Sequence, residues 1–220
     1  MGFFKKFGWN KSGEESPRSL EHPRDLEPGD IVKFAFSDQG EISGASFSLD
    51  RVRTLDLGGD EKKLTYFMLS DAENRVRLRV VDDDTLEVAL EVLPDDLFSA
   101  VRKDDVAMAV DPDSGSHNVI NARKADKIPL DMRPWVGKVY RQEGYVKAYR
   151  YEGDYRKRAL PTTMEEGEQG CDYAYFVSDD RQRALEIRIF EGGRTEVHLC
   201  VFLPLRKIEE LWPGNAEGSA

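Results

Sequence analysis

The chain has 220 residues, of which 40% are hydrophobic and 34% charged, with 32 lysines and arginines against 42 acidic residues. It holds no run of about 20 apolar residues, so no segment is predicted to cross a bilayer as a helix. The net charge of −10 argues against nucleic acid as the partner, because phosphate binding needs a concentrated basic surface. Length, composition and charge therefore argue against a membrane-spanning helix and against nucleic-acid binding, but they do not indicate an activity.

The first eleven residues combine aromatic side chains with three lysines, which give this arm a charge of +3. Aromatic rings beside ammonium groups are typical of segments that contact an anionic membrane surface, and a docking arm for protein can have the same composition. The predicted contact residues are Phe3, Phe4, Lys5, Lys6, Phe7 and Trp9. Residues 10–25 contain Asn, Ser, Gly, Glu and two prolines, so residues 1–25 are predicted to be an arm and a flexible tether.

Two segments that lie 109 residues apart share one sequence pattern. At this offset Tyr66 and Phe67 align with Tyr175 and Phe176, and Arg79 aligns with Arg188. Each half predicts three strands joined by turns, followed by a proline and a short helix. The predicted strands are 64–69, 75–81 and 85–93 in the first half and 173–177, 184–190 and 195–203 in the second. The shared offset predicts an internal duplication.

The predicted fold class is mainly β with short helices, as two tandem, similar antiparallel β domains of the sandwich or small-barrel type. The first domain is placed at 26–110 and the second at 135–214, with a linker at 111–134 and a disordered tail at 215–220. Apolar and charged residues alternate in 76–80 and 185–189. This alternation is typical of strands with one buried face, so the charged side chains are expected to face water.

No catalytic residue, cofactor or metal site is predicted, because the chain has no phosphate-binding loop and no nucleophile motif. Its three histidines are far apart in sequence, and His198 is expected to face solvent or a partner, with Glu196 and Cys200 on the same side of its strand. The two cysteines, Cys171 and Cys200, are expected to be reduced, buried and inert. We therefore expect that the protein is not an enzyme.

Residues 133–158 interleave tyrosines with basic residues and carry a net charge of +5. Such a segment could contact an anionic partner, although tyrosine on the buried side and lysine on the wet side are also ordinary features of a strand. The residues predicted to contact an anionic partner are Lys138, Tyr140, Arg141, Lys147, Tyr149 and Arg150.

Three short patterns, at Leu26–Val32, Gly44–Leu49 and Leu64–Leu69, carry a resemblance to a known group of proteins. Over residues 1–95 the chain resembles a bacterial family of small β-rich domains of unknown function, whose members often begin with a Met-Gly-Phe-Phe-Lys-Lys-like stretch. The resemblance implies a bacterial cytoplasmic origin and a non-enzymatic role. It implies no catalytic residues.

The resulting prediction is a non-enzymatic binding or scaffold protein, attached through its arm to the inner membrane surface or to a protein assembly. A protein partner or self-association is expected, and an anionic membrane surface is the other candidate. The alternative is a ligand-binding or enzymatic module with its site in the groove between the two repeats. Since the N-terminus shows no signal-peptide pattern, the expected compartment is the cytoplasm, with a peripheral position at the inner membrane as a further option.

Overall fold

A computed structural model describes residues 18–58, 63–111, 118–161 and 169–214. Eleven strands and two short helices make up most of this part of the chain. The strands are β1 Ile31–Phe34, β2 Ser46–Asp56, β3 Lys63–Ser70, β4 Arg75–Val80, β5 Thr85–Val92, β6 Val119–Asn121, β7 Val139–Glu152, β8 Gln169–Ser178, β9 Arg183–Phe190, β10 Thr195–Pro204 and β11 Ile208–Trp212. The helices are α1 Pro94–Ala100 and α2 Lys103–Val110, and single 3-10 turns occur at Pro23–Asp25, Ala125–Lys127, Arg133–Trp135 and Leu205–Lys207.

All eleven strands belong to one antiparallel sheet, in the order β11-β1-β2-β3-β4-β5-β10-β9-β8-β7-β6. The prediction of a mainly β protein is confirmed. The two β-rich halves join directly, because β5 pairs with β10 over eight residue pairs, from Thr85↔Pro204 to Val92↔Val197. Both halves of the chain therefore contribute strands to the same sheet.

The sheet closes on itself through an additional pairing between β2 and β7. The second part of β2 pairs with the end of β7, from Arg53↔Glu152 to Asp56↔Tyr149, whereas the first part of β2 pairs with β1. Eight strands thus form a closed ring in the order β2-β3-β4-β5-β10-β9-β8-β7. In a closed ring, alternate residues of each strand point into the enclosed interior and away from it.

The outward side of the ring carries the main apolar core of the described chain. Its strands contribute leucine, isoleucine and valine, among them Leu78, Leu185 and Leu199, all fully buried. The shorter elements cover this side, since Phe34 of β1, Leu97 of α1 and Trp135 join the same cluster. This packing layer leaves the interior of the ring for the other side chains of each strand.

Five strands lie within one residue of the predicted bounds, namely β3, β4, β5, β9 and β10, whereas β8 begins four residues before its predicted start. The helix predicted after Pro204 is a single 3-10 turn, and an unpredicted strand, β11, follows it and pairs with β1. Because β1 offers an unpaired edge, the apolar residues Ile208 and Leu211 reach the core from a strand instead of a helix. The duplication and the domain bounds stay predictions.

The structural description ends before the predicted tail at 215–220, and residues 112–117 of the predicted linker also lie outside the described residues. Within the described ranges, no helix is long and apolar enough to cross a membrane.

Candidate functional site

The interior of the ring is centred on Glu186 of β9. Arg77 of β4 donates two hydrogen bonds to its carboxylate, at 2.7 and 3.0 Å, and Arg188 forms an ion pair with it at 2.7 Å. The hydroxyl groups of Tyr66 and Tyr173 each donate to Glu186 at 3.3 Å. Since β3 and β9 lie on opposite sides of the ring, the contact between Tyr66 and Glu186 crosses its interior.

The charge state of Glu186 follows from its neighbours. Its burial alone would raise the pKa of the carboxyl, but Arg188 and Arg77 lower that pKa well below its usual value. Burial and the charge of Glu186 together raise the pKa of Tyr66 to about 12. The carboxylate is therefore ionised and the phenol neutral at any physiological pH.

Further ion pairs fill the interior on either side of Glu186. Arg79 donates to Glu87 at 2.5 and 3.2 Å, and the hydroxyl of Tyr175 donates to Glu87 at 2.6 Å. Arg150 of β7 donates to Glu196 of β10 at 2.8 Å. The interior groups described so far are four arginines and three glutamates, so the interior holds one more positive charge than negative: Arg77, Arg79, Arg150, Arg188, Glu87, Glu186 and Glu196.

The expectation that the charged faces of 76–80 and 185–189 contact water is wrong. Arg77, Glu186 and Arg188 are all buried. Closure of the ring turns these faces toward each other, and the arginines of one strand meet the carboxylates of another. Buried charges are tolerated where they are paired and hydrogen-bonded in this way.

His198 also differs from its prediction, because it is buried inside the ring and does not face solvent. Its Nδ1 lies 3.7 Å from the carboxylate of Glu186. Burial, and then the charge of Arg77, lower the pKa of His198 well below its usual value, although Glu186 acts in the opposite direction. His198 is therefore neutral at pH 7. Glu196 and Cys200 do share its face of β10, as expected.

A cavity of about 300 Å³ opens into one end of the ring. Side chains from both halves line it, and they include six arginines and three carboxylates: Asp50, Arg51, Arg53, Met68, Leu69, Arg75, Val76, Arg77, Ala89, Glu91, Arg150, Arg194, Glu196 and His198. With His198 neutral, the lining has a net charge of +3 in a chain whose net charge is −10. We call this space the arginine cavity.

Besides the exposed side chains of Asp50, Glu91 and Arg194, the rim of the arginine cavity carries two further exposed arginines, Arg51 of β2 and Arg75 of β4. Within the described part of the chain, neither side chain forms a hydrogen bond or an ion pair. Arg53, by contrast, donates to Glu152 at 2.8 Å. The rim therefore presents two guanidinium groups whose donors are open to a ligand.

The floor of the arginine cavity is formed by buried groups, of which Arg77, Arg150 and His198 are charged or polar. The Nε of Arg77 and the Nδ1 of His198 are buried polar atoms without a hydrogen-bond partner in the described chain. Buried polar groups usually have a partner, and a bound ligand is one way to supply it. The floor thus offers polar contacts below the charged rim.

No family model, curated protein or solved structure matches the chain. The resemblance over residues 1–95 consequently has no support from these comparisons.

The predicted contact residues of the arm, Phe3, Phe4, Lys5, Lys6, Phe7 and Trp9, lie outside the described residues. Contact between the arm and a membrane or a protein partner stays a prediction.

No group of three or more His, Cys, Asp and Glu residues that could hold a metal ion occurs in the ranges that the structure describes. Cys171 and Cys200 are both free and buried, as expected.

The residues predicted for an anionic partner on β7 do not share one environment. Lys138, Arg141 and Lys147 are exposed, and the last two pair with Asp179 and Asp172. Tyr149 is half-buried. Tyr140 and Arg150 are buried, on the outward and inward sides of the ring respectively. Of these six residues, only Arg150 lines the arginine cavity.

Tyr140 has a structural role that leads to a testable prediction. Its hydroxyl accepts a hydrogen bond from the backbone N–H of Gly137 at 2.7 Å, and both residues are buried. Replacing Tyr140 by Phe leaves this N–H without a partner, so we expect a loss of about 1–3 kcal/mol in the free energy of unfolding. Urea denaturation measures the loss. A variant as stable as the wild type would contradict the assigned role.

Arg51, Arg53, Arg75, Arg77 and Arg194 belong to the cavity but were not predicted as site residues. A signal was available in the sequence, since arginines recur at alternate positions in 51–53 and 75–79. In a strand this spacing places the side chains on one face. Only closure of the ring shows that the two strands direct these faces toward a common interior.

Proposed function

We propose that the protein is a non-enzymatic binding protein that holds a small anion in the arginine cavity between its two halves. The observation that carries this proposal is the net charge of +3 around a partly enclosed space, with Arg51 and Arg75 unpaired among the described residues at its rim. Guanidinium groups present fixed donors that match carboxylate and phosphate oxygens. The volume lies at the lower end of the range for small-molecule sites, which favours a compact ligand.

The chemistry of the interior supports binding and not catalysis. Burial raises the pKa of the Cys200 thiol well above its usual value, so this thiol stays protonated and is a poor nucleophile. His198 is neutral, and the arginines and glutamates of the interior are paired with each other. Free cysteines at both positions also support the cytoplasm as the compartment.

Charge reversal at the rim tests the proposal. In Arg51→Glu/Arg75→Glu we expect the affinity for glutarate, pentanoate and inorganic phosphate to fall at least tenfold, because the reversed charges repel the anions. Isothermal titration calorimetry at low ionic strength measures the affinities. The matched control is Lys138→Glu/Arg206→Glu, which makes the same change in net charge at two exposed positions outside the cavity. Equal losses in both variants, or no binding of any probe to the wild type, would overturn the proposal.

A further inference from the structure

The donors of the arginine cavity lie at two depths, and this arrangement bears on the chemistry of the ligand. Arg75 and Arg77 are two residues apart on β4, so their Cα atoms are separated by about 6.6 Å along the strand. Arg75 is exposed at the rim, whereas Arg77 is buried at the floor. The cavity thus has guanidinium donors at an exposed and at a buried position.

Apolar side chains flank the floor arginine. Met68 of β3 and Ala89 of β5 are the cross-strand neighbours of Arg77, and both line the cavity. Their side chains offer no hydrogen bond to an anionic group, but they can pack against carbon atoms. The cavity therefore combines charged donors at two levels with apolar surface beside them.

We infer that the ligand is a small organic molecule with two anionic groups joined by a short carbon chain. This inference rests on the proposed function and specifies its ligand class. One anionic group lies at the rim between Arg51 and Arg75. The other reaches the floor, where the Nε of Arg77 and the Nδ1 of His198 have no partner in the described chain. The carbon chain packs against Met68 and Ala89.

The net charge of the lining agrees with two anionic groups. A ligand with two negative charges reduces the net charge of the lining from +3 to about +1, and Arg51 and Arg75 are lining arginines without an ion pair in the described chain. Since the cavity walls come from both halves, the bound molecule also contacts both halves at once. Binding is then expected to raise the melting temperature of the whole chain.

Affinity measurements with matched probes test the inference. Glutarate carries two carboxylates, pentanoate has one on a chain of the same length, and methyl phosphate concentrates its charge in one group. A fourth probe, 4-phosphonobutyrate, has a phosphonate in place of one carboxylate of glutarate and distinguishes a phosphorus-containing ligand from a dicarboxylate. Titration calorimetry at 150 mM salt, where long-range attraction is screened, is expected to show at least tenfold tighter binding of glutarate or 4-phosphonobutyrate than of pentanoate and methyl phosphate.

The variant Arg51→Gln/Arg75→Gln removes the charges at the rim of the arginine cavity and leaves the floor donors in place, so it measures the contribution of the rim alone. We expect its affinity for glutarate to fall at least tenfold, towards that of pentanoate, while the affinity for pentanoate falls by a smaller factor. If the wild type binds pentanoate as tightly as glutarate, or if the variant loses affinity for both equally, the inference is wrong and the proposed function stands. If the wild type binds none of the four probes, the proposed function fails as well.

Discussion

Replacing Glu186 by Gln is expected to lower the free energy of unfolding by about 3–5 kcal/mol. The substitution keeps the size of the side chain but removes the negative charge that Arg77 and Arg188 share in the interior of the ring. Both guanidinium groups are buried, so they would be left without full charge compensation. Chemical denaturation with urea, followed by circular dichroism, measures the loss.

A matched substitution at the surface provides the control. Glu143→Gln removes the same charge from an exposed pair with Arg181, for which the expected loss is below about 1 kcal/mol. A second variant keeps the test valid if Glu186→Gln fails to fold: adding Arg77→Met removes one of the uncompensated charges. The double variant is expected to be more stable than Glu186→Gln alone. Equal losses for Glu186→Gln and Glu143→Gln would show that the interior network contributes no more than a surface pair.

The ion pair between Arg77 and Glu186 is also relevant to the predicted duplication. Arg77 and Glu186 lie 109 residues apart, so they occupy corresponding positions of the two proposed repeats and bond to each other across the interior. Two identical repeats would place like charges at this point, and two buried like charges repel. A basic residue in one half and an acidic residue in the other make the two halves complementary.

The positions of the strands could be predicted from local patterns, because alternation and turn residues are properties of short segments. β4 and β9 are examples, since each alternates apolar and charged residues and ends in a polar turn. Which face of each strand is buried could not be predicted in the same way. Arg77 and Glu186 look like solvent-facing residues until the pairing of β2 with β7 closes the ring around them.

From the sequence, a groove between the two proposed repeats is predicted only as an alternative place for a site, with no residue assigned to it. The residues of the arginine cavity come from strands that are distant in the chain, such as β2, β4 and β10, and no local motif links them. Arg150 was identified through its basic neighbours on β7, most of which face away from the cavity. Arg51 and His198 come to the same cavity only because β2 pairs with β7 and closes the sheet into a ring. No short segment of the sequence indicates this pairing.

The stability of the fold is expected to fall between pH 7.5 and pH 5, and His198 is the main cause. Its pKa in the folded protein lies well below the usual value of 6.5. As the pH falls below 6.5, the unfolded chain binds a proton that the folded chain excludes, which favours unfolding. Between pH 6.5 and the pKa of the folded imidazole, each pH unit lowers the free energy of unfolding by about 1.4 kcal/mol.

Comparison with His198→Gln isolates this contribution. The groups around the imidazole, Glu186, Arg77, Arg188 and Arg53, do not change charge in this range: the arginines stay protonated, and the pKa of Glu186 is lowered. Glu186 stabilises the fold above the usual carboxyl pKa of 4.5, so its contribution is lost only as the pH falls below that value. Urea denaturation at pH 7.5, 6.5, 5.5 and 5 should therefore show a smaller fall in the free energy of unfolding for His198→Gln than for the wild type, by up to about 1.4 kcal/mol per pH unit below 6.5. Parallel slopes in the two proteins would mean that the buried imidazole takes up its proton without unfolding.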